Sequence, residues 1–96
     1  MRQRTPADWV PELFTGFLTE DVIRRAVEDF TAQREIPLVQ LGIDSMAVMG
    51  LVLNLESVFG LQIDYASFDI RTLATMGSIE DYLVAADVLA DGGSAA

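Results

Sequence analysis

One hydroxyl concentrates the chemical potential of this 96-residue chain. Ser45 ends the run Leu41-Gly42-Ile43-Asp44-Ser45 and opens a long apolar stretch from Met46 to Phe59-Gly60. A short loop ending in Asp-Ser, followed at once by helical spacing, sets that hydroxyl at a helix N-terminus. A serine nucleophile needs a neighbouring base to take its proton, and the sequence contains neither histidine nor lysine. Ser45 is therefore suited to receive a group rather than to attack one, and a hydrolase is excluded. Cysteine is absent as well, which removes disulfides, zinc–thiolate sites and thiol redox chemistry. The adjacent acidic pairs Glu20-Asp21, Glu28-Asp29 and Glu80-Asp81 do not converge on a metal, because neighbours in sequence diverge on a helix. Asp64 to Asp69 lacks the spacing and glycine of a calcium loop. No metal site is expected.

The charge balance narrows the partners. Fifteen acidic residues against six basic ones, all arginine, give a net charge of −9. That charge repels nucleic acid and anionic membranes and favours partners with basic surfaces. No apolar run reaches the length of a membrane span, and Met1-Arg2-Gln3-Arg4-Thr5-Pro6 does not lead into a signal-peptide core. A cytoplasmic protein, monomeric and of one domain, is expected.

Helical signals position the serine, and sustained period-2 alternation is missing. Thr19 caps a first strong helix, with Glu20 and Asp21 at its positive end. Its apolar stripe is Val22, Ile23, Ala26, Val27 and Phe30, and it fades by Arg34, before Pro37. Residues 35–44 read as a loop in which Leu38, Val39 and Leu41 tuck against the core and Gly42 turns the chain. Asp44 or Ser45 caps the second helix. Its apolar positions at helical spacing include Val48, Leu51, Val52, Leu55, Val58 and Phe59, of which Leu51, Val52, Leu55 and Phe59 are expected to face inward, and Gly60 stops it. Asp64 opens a short third segment holding Tyr65, Phe68 and Ile70. Thr75 or Ser78 caps a last helix with Ile79, Tyr82, Leu83 and Ala86 on one face. Asp91-Gly92-Gly93-Ser94-Ala95-Ala96 reads as part of a flexible tail.

Two surfaces have more apolar side chains than one buried face needs. In the N-terminal segment, Asp8 caps a short helix with Pro11 in its first turn. Trp9, Leu13 and Phe17 then share a face, as do Val10, Phe14 and Leu18. They either pack as a satellite on the helical core or form a docking or dimerising surface. In the second helix, Met46, Ala47, Met49, Gly50 and Leu53 are left largely outward, with Glu56 as a lone charge. Either the N-terminal segment covers this face, or it stays open, and exposed methionine suits an adaptable partner surface. A helical interaction module that binds a partner through this face, with no modification of Ser45, is the alternative function.

The run Leu41-Gly42-Ile43-Asp44-Ser45-Met46 resembles the modification motif of the acyl and peptidyl carriers of fatty-acid, polyketide and nonribosomal peptide synthesis. Leu51, Leu55, Glu56 and Phe59-Gly60-Leu61 resemble the family's second helix and its exit. Phe68, Leu73-Ala74-Thr75-Met76 and Ile79 resemble its third segment and the threonine that begins its last helix. The likeness covers residues 19–89. It implies a 4′-phosphopantetheine group, derived from coenzyme A, joined to Ser45 through a phosphodiester. Asp44 would be the motif neighbour that helps a phosphopantetheinyl transferase place its metal and substrate. The chain itself would be a non-catalytic carrier of acyl, aminoacyl or peptidyl thioesters. Its partners would be loading and processing enzymes: adenylation enzymes or acyltransferases, ketosynthases, and condensation or tailoring enzymes. They would dock on Met46, Ala47, Met49, Gly50, Leu53 and Glu56.

One departure shapes the expectation. Fatty-acid carriers usually have acidic residues soon after the serine, where this chain has Ala47 and Gly50. The apolar face is closer to that of peptidyl carriers, while Asp44 and the acidic balance resemble acyl carriers. A free-standing carrier of polyketide or nonribosomal peptide biosynthesis, including antibiotic pathways, is expected. The fold implied is all-α: a small antiparallel four-helix bundle of the acyl-carrier type, three helices long and one short. An apolar N-terminal extension (1–18) precedes the carrier domain (19–89), and a flexible tail (90–96) follows.

Overall fold

The computed structural model describes residues 5–89, and they form an all-α bundle. The helices are α1 (Pro6–Phe14), α2 (Glu20–Glu28), α3 (Phe30–Gln33), α4 (Leu38–Leu41), α5 (Ser45–Phe59) and α6 (Met76–Ala85), with a 3-10 turn at Ile70–Leu73. The tail expected over 90–96 lies outside the described residues.

The N-terminal segment is part of the core. Trp9, Val10, Leu13 and Phe14 are fully buried, and α1 packs against both α2 and α5. The Trp9 ring meets Phe30 edge-on at 5.7 Å and Phe59 at 6.5 Å, so it joins three elements that are distant in sequence. The cap is Thr5 rather than Asp8. Pro6 occupies the first helical position, where its missing N–H costs nothing, and the Asp8 carboxylate accepts from the Thr5 N–H at 3.1 Å. Pro11 consequently lies inside the helix instead of in its first turn. The helix ends at Phe14, and Gly16 (φ 94°) turns the chain so that Phe17 and Leu18 point back onto the bundle.

The first strong helix expected from the sequence is two helices. Thr19 caps α2 as expected, accepting from the Val22 N–H at 3.3 Å. Asp29 then leaves helical geometry (φ −144°, ψ 65°) and its carboxylate accepts from the Ala32 N–H, starting α3. A short acidic side chain that competes for backbone N–H groups explains the break. The stripe survives it, with Ala26 buried and Val22, Ile23, Val27 and Phe30 half-buried.

Residues 35–44 contain the one-turn helix α4 rather than loop alone. Leu38 is buried, whereas Val39 is 75% exposed and does not tuck in. Two ties fix the stretch from Arg34 to Leu38 to the chain entering α6. The Leu38 N–H donates to Ala74 O at 2.8 Å, and the Gly77 N–H donates to Arg34 O at 2.9 Å. The Arg34 guanidinium lies against Gly77 and reaches Glu80 at 3.3 Å and Asp81 at 3.4 Å.

The third segment is also later than expected. Asp64 organises a turn, accepting from Ala66 N–H and Ser67 Oγ, and Asp69 caps the 3-10 turn through Arg71 N–H at 2.9 Å. Phe68 is half-buried against Tyr82, edge to face at 5.6 Å, while Ile70 is exposed. Thr75 caps α6 in a reciprocal box with Ser78, and Ile79 and Leu83 are fully buried. Ala86 lies beyond the end of α6 and is exposed.

Candidate functional site: the start of α5

The approach to Ser45 is set by three residues. Gly42 (φ 120°) ends α4 in a conformation that favours glycine, with its N–H on Leu38 O at 3.1 Å. Ile43 is buried and pins the loop to the core. Asp44 is extended (φ −101°, ψ 176°), and its carboxylate accepts from the Ala47 N–H at 2.8 Å. Asp44 is thus the cap, and Ser45 is the first residue of α5 and exposed. Its hydroxyl is not the group that closes the helix end.

That geometry fits a phosphate ester. The first-turn N–H groups of a helix have no intrahelical acceptor, and the positive end of the dipole favours an anion. In a chain of net charge −9, this helix end supplies local positive potential beside the hydroxyl.

The side chains after Ser45 divide by angle around α5, at about 100° per residue. Leu51, Val52 and Leu55 are buried on one side. On the opposite side Met46 (88% exposed), Met49 (57%) and Leu53 (56%) form an apolar strip that begins beside Ser45. Ala47 is half-buried at the margin.

Two of the six positions expected to face partners are otherwise engaged. Gly50 faces the ring of Phe17, and a Cβ there would stand 3.1 Å from Phe17 Cε1. Glu56 is not a lone charge, because its carboxylate accepts from the Ile63 N–H at 3.0 Å and from the Tyr65 hydroxyl. The Tyr65 hydroxyl, then the Ile63 N–H, hold the Glu56 carboxyl below its ordinary value, and Glu56 in turn pushes the Tyr65 phenol up.

The strip therefore runs between two walls. On one side the α1–α2 connection lays Phe17 over Gly50, and Asn54 Nδ2 donates to Leu13 O at 2.6 Å. On the other side Glu56 holds the chain after α5 through Ile63 and Tyr65. Asn54 and Tyr65 are not among the partner-facing residues expected from the sequence, and Phe17 is expected only on the apolar face of the N-terminal segment. Their roles depend on contacts between distant segments that no local spacing announces.

A family profile described as the phosphopantetheine attachment site matches residues 18–82, two thirds of the chain. The chain belongs to that family, whose members bind 4′-phosphopantetheine covalently at a serine. It is a carrier domain, of a kind generally non-catalytic and served by a phosphopantetheinyl transferase and by processing enzymes. No curated protein and no solved structure matches it significantly. Among the described residues, no helix is long and apolar enough to cross a membrane.

Proposed function

We propose that Ser45 is the residue that receives 4′-phosphopantetheine, and that the carrier serves polyketide or nonribosomal peptide biosynthesis. The observation that carries the assignment is the division of labour at the start of α5. Asp44 closes the helix end through Ala47, which leaves the exposed Ser45 hydroxyl for a phosphodiester. When attached, the group supplies a flexible arm whose terminal thiol carries an acyl, aminoacyl or peptidyl cargo as a thioester, and the chain has no cysteine to do so. The residues of the chain hold the anchor at one end of a rigid helix and present the face that partners meet. Tethering keeps the cargo at high effective concentration near whichever enzyme is docked.

The pathway class rests on the character of the strip. Met46, Met49 and Leu53 are exposed, Ala47 and Gly50 stand where an acidic pattern would be expected, and Glu56 is occupied by Tyr65 and Ile63. Such a face suits partners that dock through apolar contacts. Loading enzymes would meet it alongside the exposed Ser45.

Incubation with coenzyme A and a broad-specificity phosphopantetheinyl transferase tests the anchor. The intact mass rises by one phosphopantetheine in the natural sequence and not in Ser45→Ala. A natural-sequence chain that gains no mass refutes the assignment. The cargo recovered on the holo protein from its native host tests the pathway, with a simple fatty acyl group counting against it.

A further inference from the structure

Gly50 and Phe17 are thirty-three residues apart, yet they share one contact on the partner side of α5. Gly50 follows Met46 by one helical turn and lies beside Met49 and Leu53, so a side chain at this position would face the strip's edge. No side chain is there. Instead the half-buried ring of Phe17 comes within 3.1 Å of where a Cβ would stand. The ring is delivered by a rigid support. Gly16 turns the chain after α1, the Phe17 N–H donates to Phe14 O at 2.8 Å, and Phe14 is fully buried. Asn54, one turn further along α5, takes the carbonyl of Leu13. The N-terminal segment is thus latched to α5 along the flank of its exposed strip.

We propose that Phe17 is a partner-contacting residue: the N-terminal segment contributes an aromatic wall to the surface read by enzymes that act on Ser45. This rests on the carrier reading above. The occupant follows from distance. Gly50 lies about 7.5 Å along the helix axis from Ser45 at 1.5 Å per residue. A standard interface covers about 800 Å² per partner, a disc about 16 Å in radius. An enzyme that reaches the Ser45 hydroxyl over the Met46–Met49 side therefore overlies Phe17 as well. Aromatic side chains in such positions carry a disproportionate share of binding energy. The transferase that modifies Ser45 is the partner to test, because it must contact the unmodified chain.

The readouts are transferase affinity for the unreactive Ser45→Ala chain and kcat/KM for modification of the reactive one. Phe17→Ala is expected to weaken both by about five- to twenty-fold, mainly through KM. Gly50→Ala pushes the ring aside instead of removing it, and is expected to weaken both by a smaller factor. In the Phe17→Ala background, Gly50→Ala is expected to add nothing, because the ring it displaces is gone. Helix content and melting temperature are read alongside, and Phe17→Leu replaces Phe17→Ala if the latter does not hold its fold. Folded variants that bind and react like the parent overturn the proposal, as do fully additive effects of the two substitutions. Loss of modification in the parent chain would instead refute the carrier assignment.

Discussion

The Asp44 carboxylate, not the Ser45 hydroxyl, closes the N-terminus of α5, through the Ala47 N–H at 2.8 Å. The two neighbours thereby take separate tasks, one structural and one chemical. Asp44→Ala is expected to destabilise the fold by about 1 kcal/mol, the usual worth of an N-cap, seen as a fall of about 4–8 °C in melting temperature for a domain of this size. Asp44→Asn keeps an acceptor for Ala47 and is expected to melt near the parent. A loss of Ser45 modification in Asp44→Asn at unchanged stability then reports the carboxylate charge alone. Equal melting of Asp44→Ala and the parent would refute the capping role.

Glu56 and Tyr65 predict a pH window. The Glu56 carboxyl is held below 4.5 and the Tyr65 phenol above 10.0. For the acid, the stabilisation is complete above its ordinary value and fades as pH falls through the lowered one. For the phenol, it is complete below its ordinary value and fades as pH rises through the raised one. The parent should therefore exceed Glu56→Gln in melting temperature by a constant margin between those limits. The margin should shrink on the acid side. A margin that grows on acidification would contradict the carboxylate's role.

Trp9 tests whether residues 5–18 are an appendage or core. Trp9→Ala is expected to cost about 3–5 kcal/mol, as for truncation of any fully buried large aromatic. Its Nε1 is buried without a hydrogen-bond partner among the described residues. Trp9→Phe therefore removes an uncompensated donor along with some volume, and is expected to cost less than about 1.5 kcal/mol. Urea unfolding of both variants decides it, and a parent-like midpoint for Trp9→Ala would place the segment outside the core.

A side chain at Gly77 is predicted to destabilise the fold. A Cβ there would meet Arg34 Nε at 2.7 Å and Arg34 O at 3.1 Å. The guanidinium is held by Glu80 and Asp81 and the carbonyl by the Gly77 N–H, so neither yields freely. Gly77→Ala should cost about 1–3 kcal/mol, the range for overpacking. Calorimetry showing a parent-like melt would mean that the α3–α6 tie is loose.

Much of this was legible because the signals are local. The Asp44-Ser45 helix start, the αL stop at Gly60, the Thr75 cap and the inward Leu51, Val52 and Leu55 all follow from residues within a few positions of one another. The misreadings concern competition or distance. Periodicity runs unbroken through Asp29, so the stripe concealed a single residue that leaves helical geometry and restarts the helix. Pro37 and Gly42 read as loop markers and hid the one turn of α4 between them, a turn anchored by Ala74 far along the chain. Gly50 read as outward unless the N-terminal segment covered it, and nothing near it in sequence shows that Phe17 is the residue that does. Glu56 read as a free charge because Tyr65 lies beyond the helix end.

The burial of Trp9 has a practical corollary. It is the chain's sole indole, packed between Phe30 and Phe59. Its intrinsic fluorescence is therefore an unlabelled gauge of whether the N-terminal latch is seated, with blue-shifted emission when α1 is docked and a red shift when it lifts. Titrating a partner against that signal would reveal, without any added probe, whether recognition at Ser45 disturbs the opposite end of the same wall.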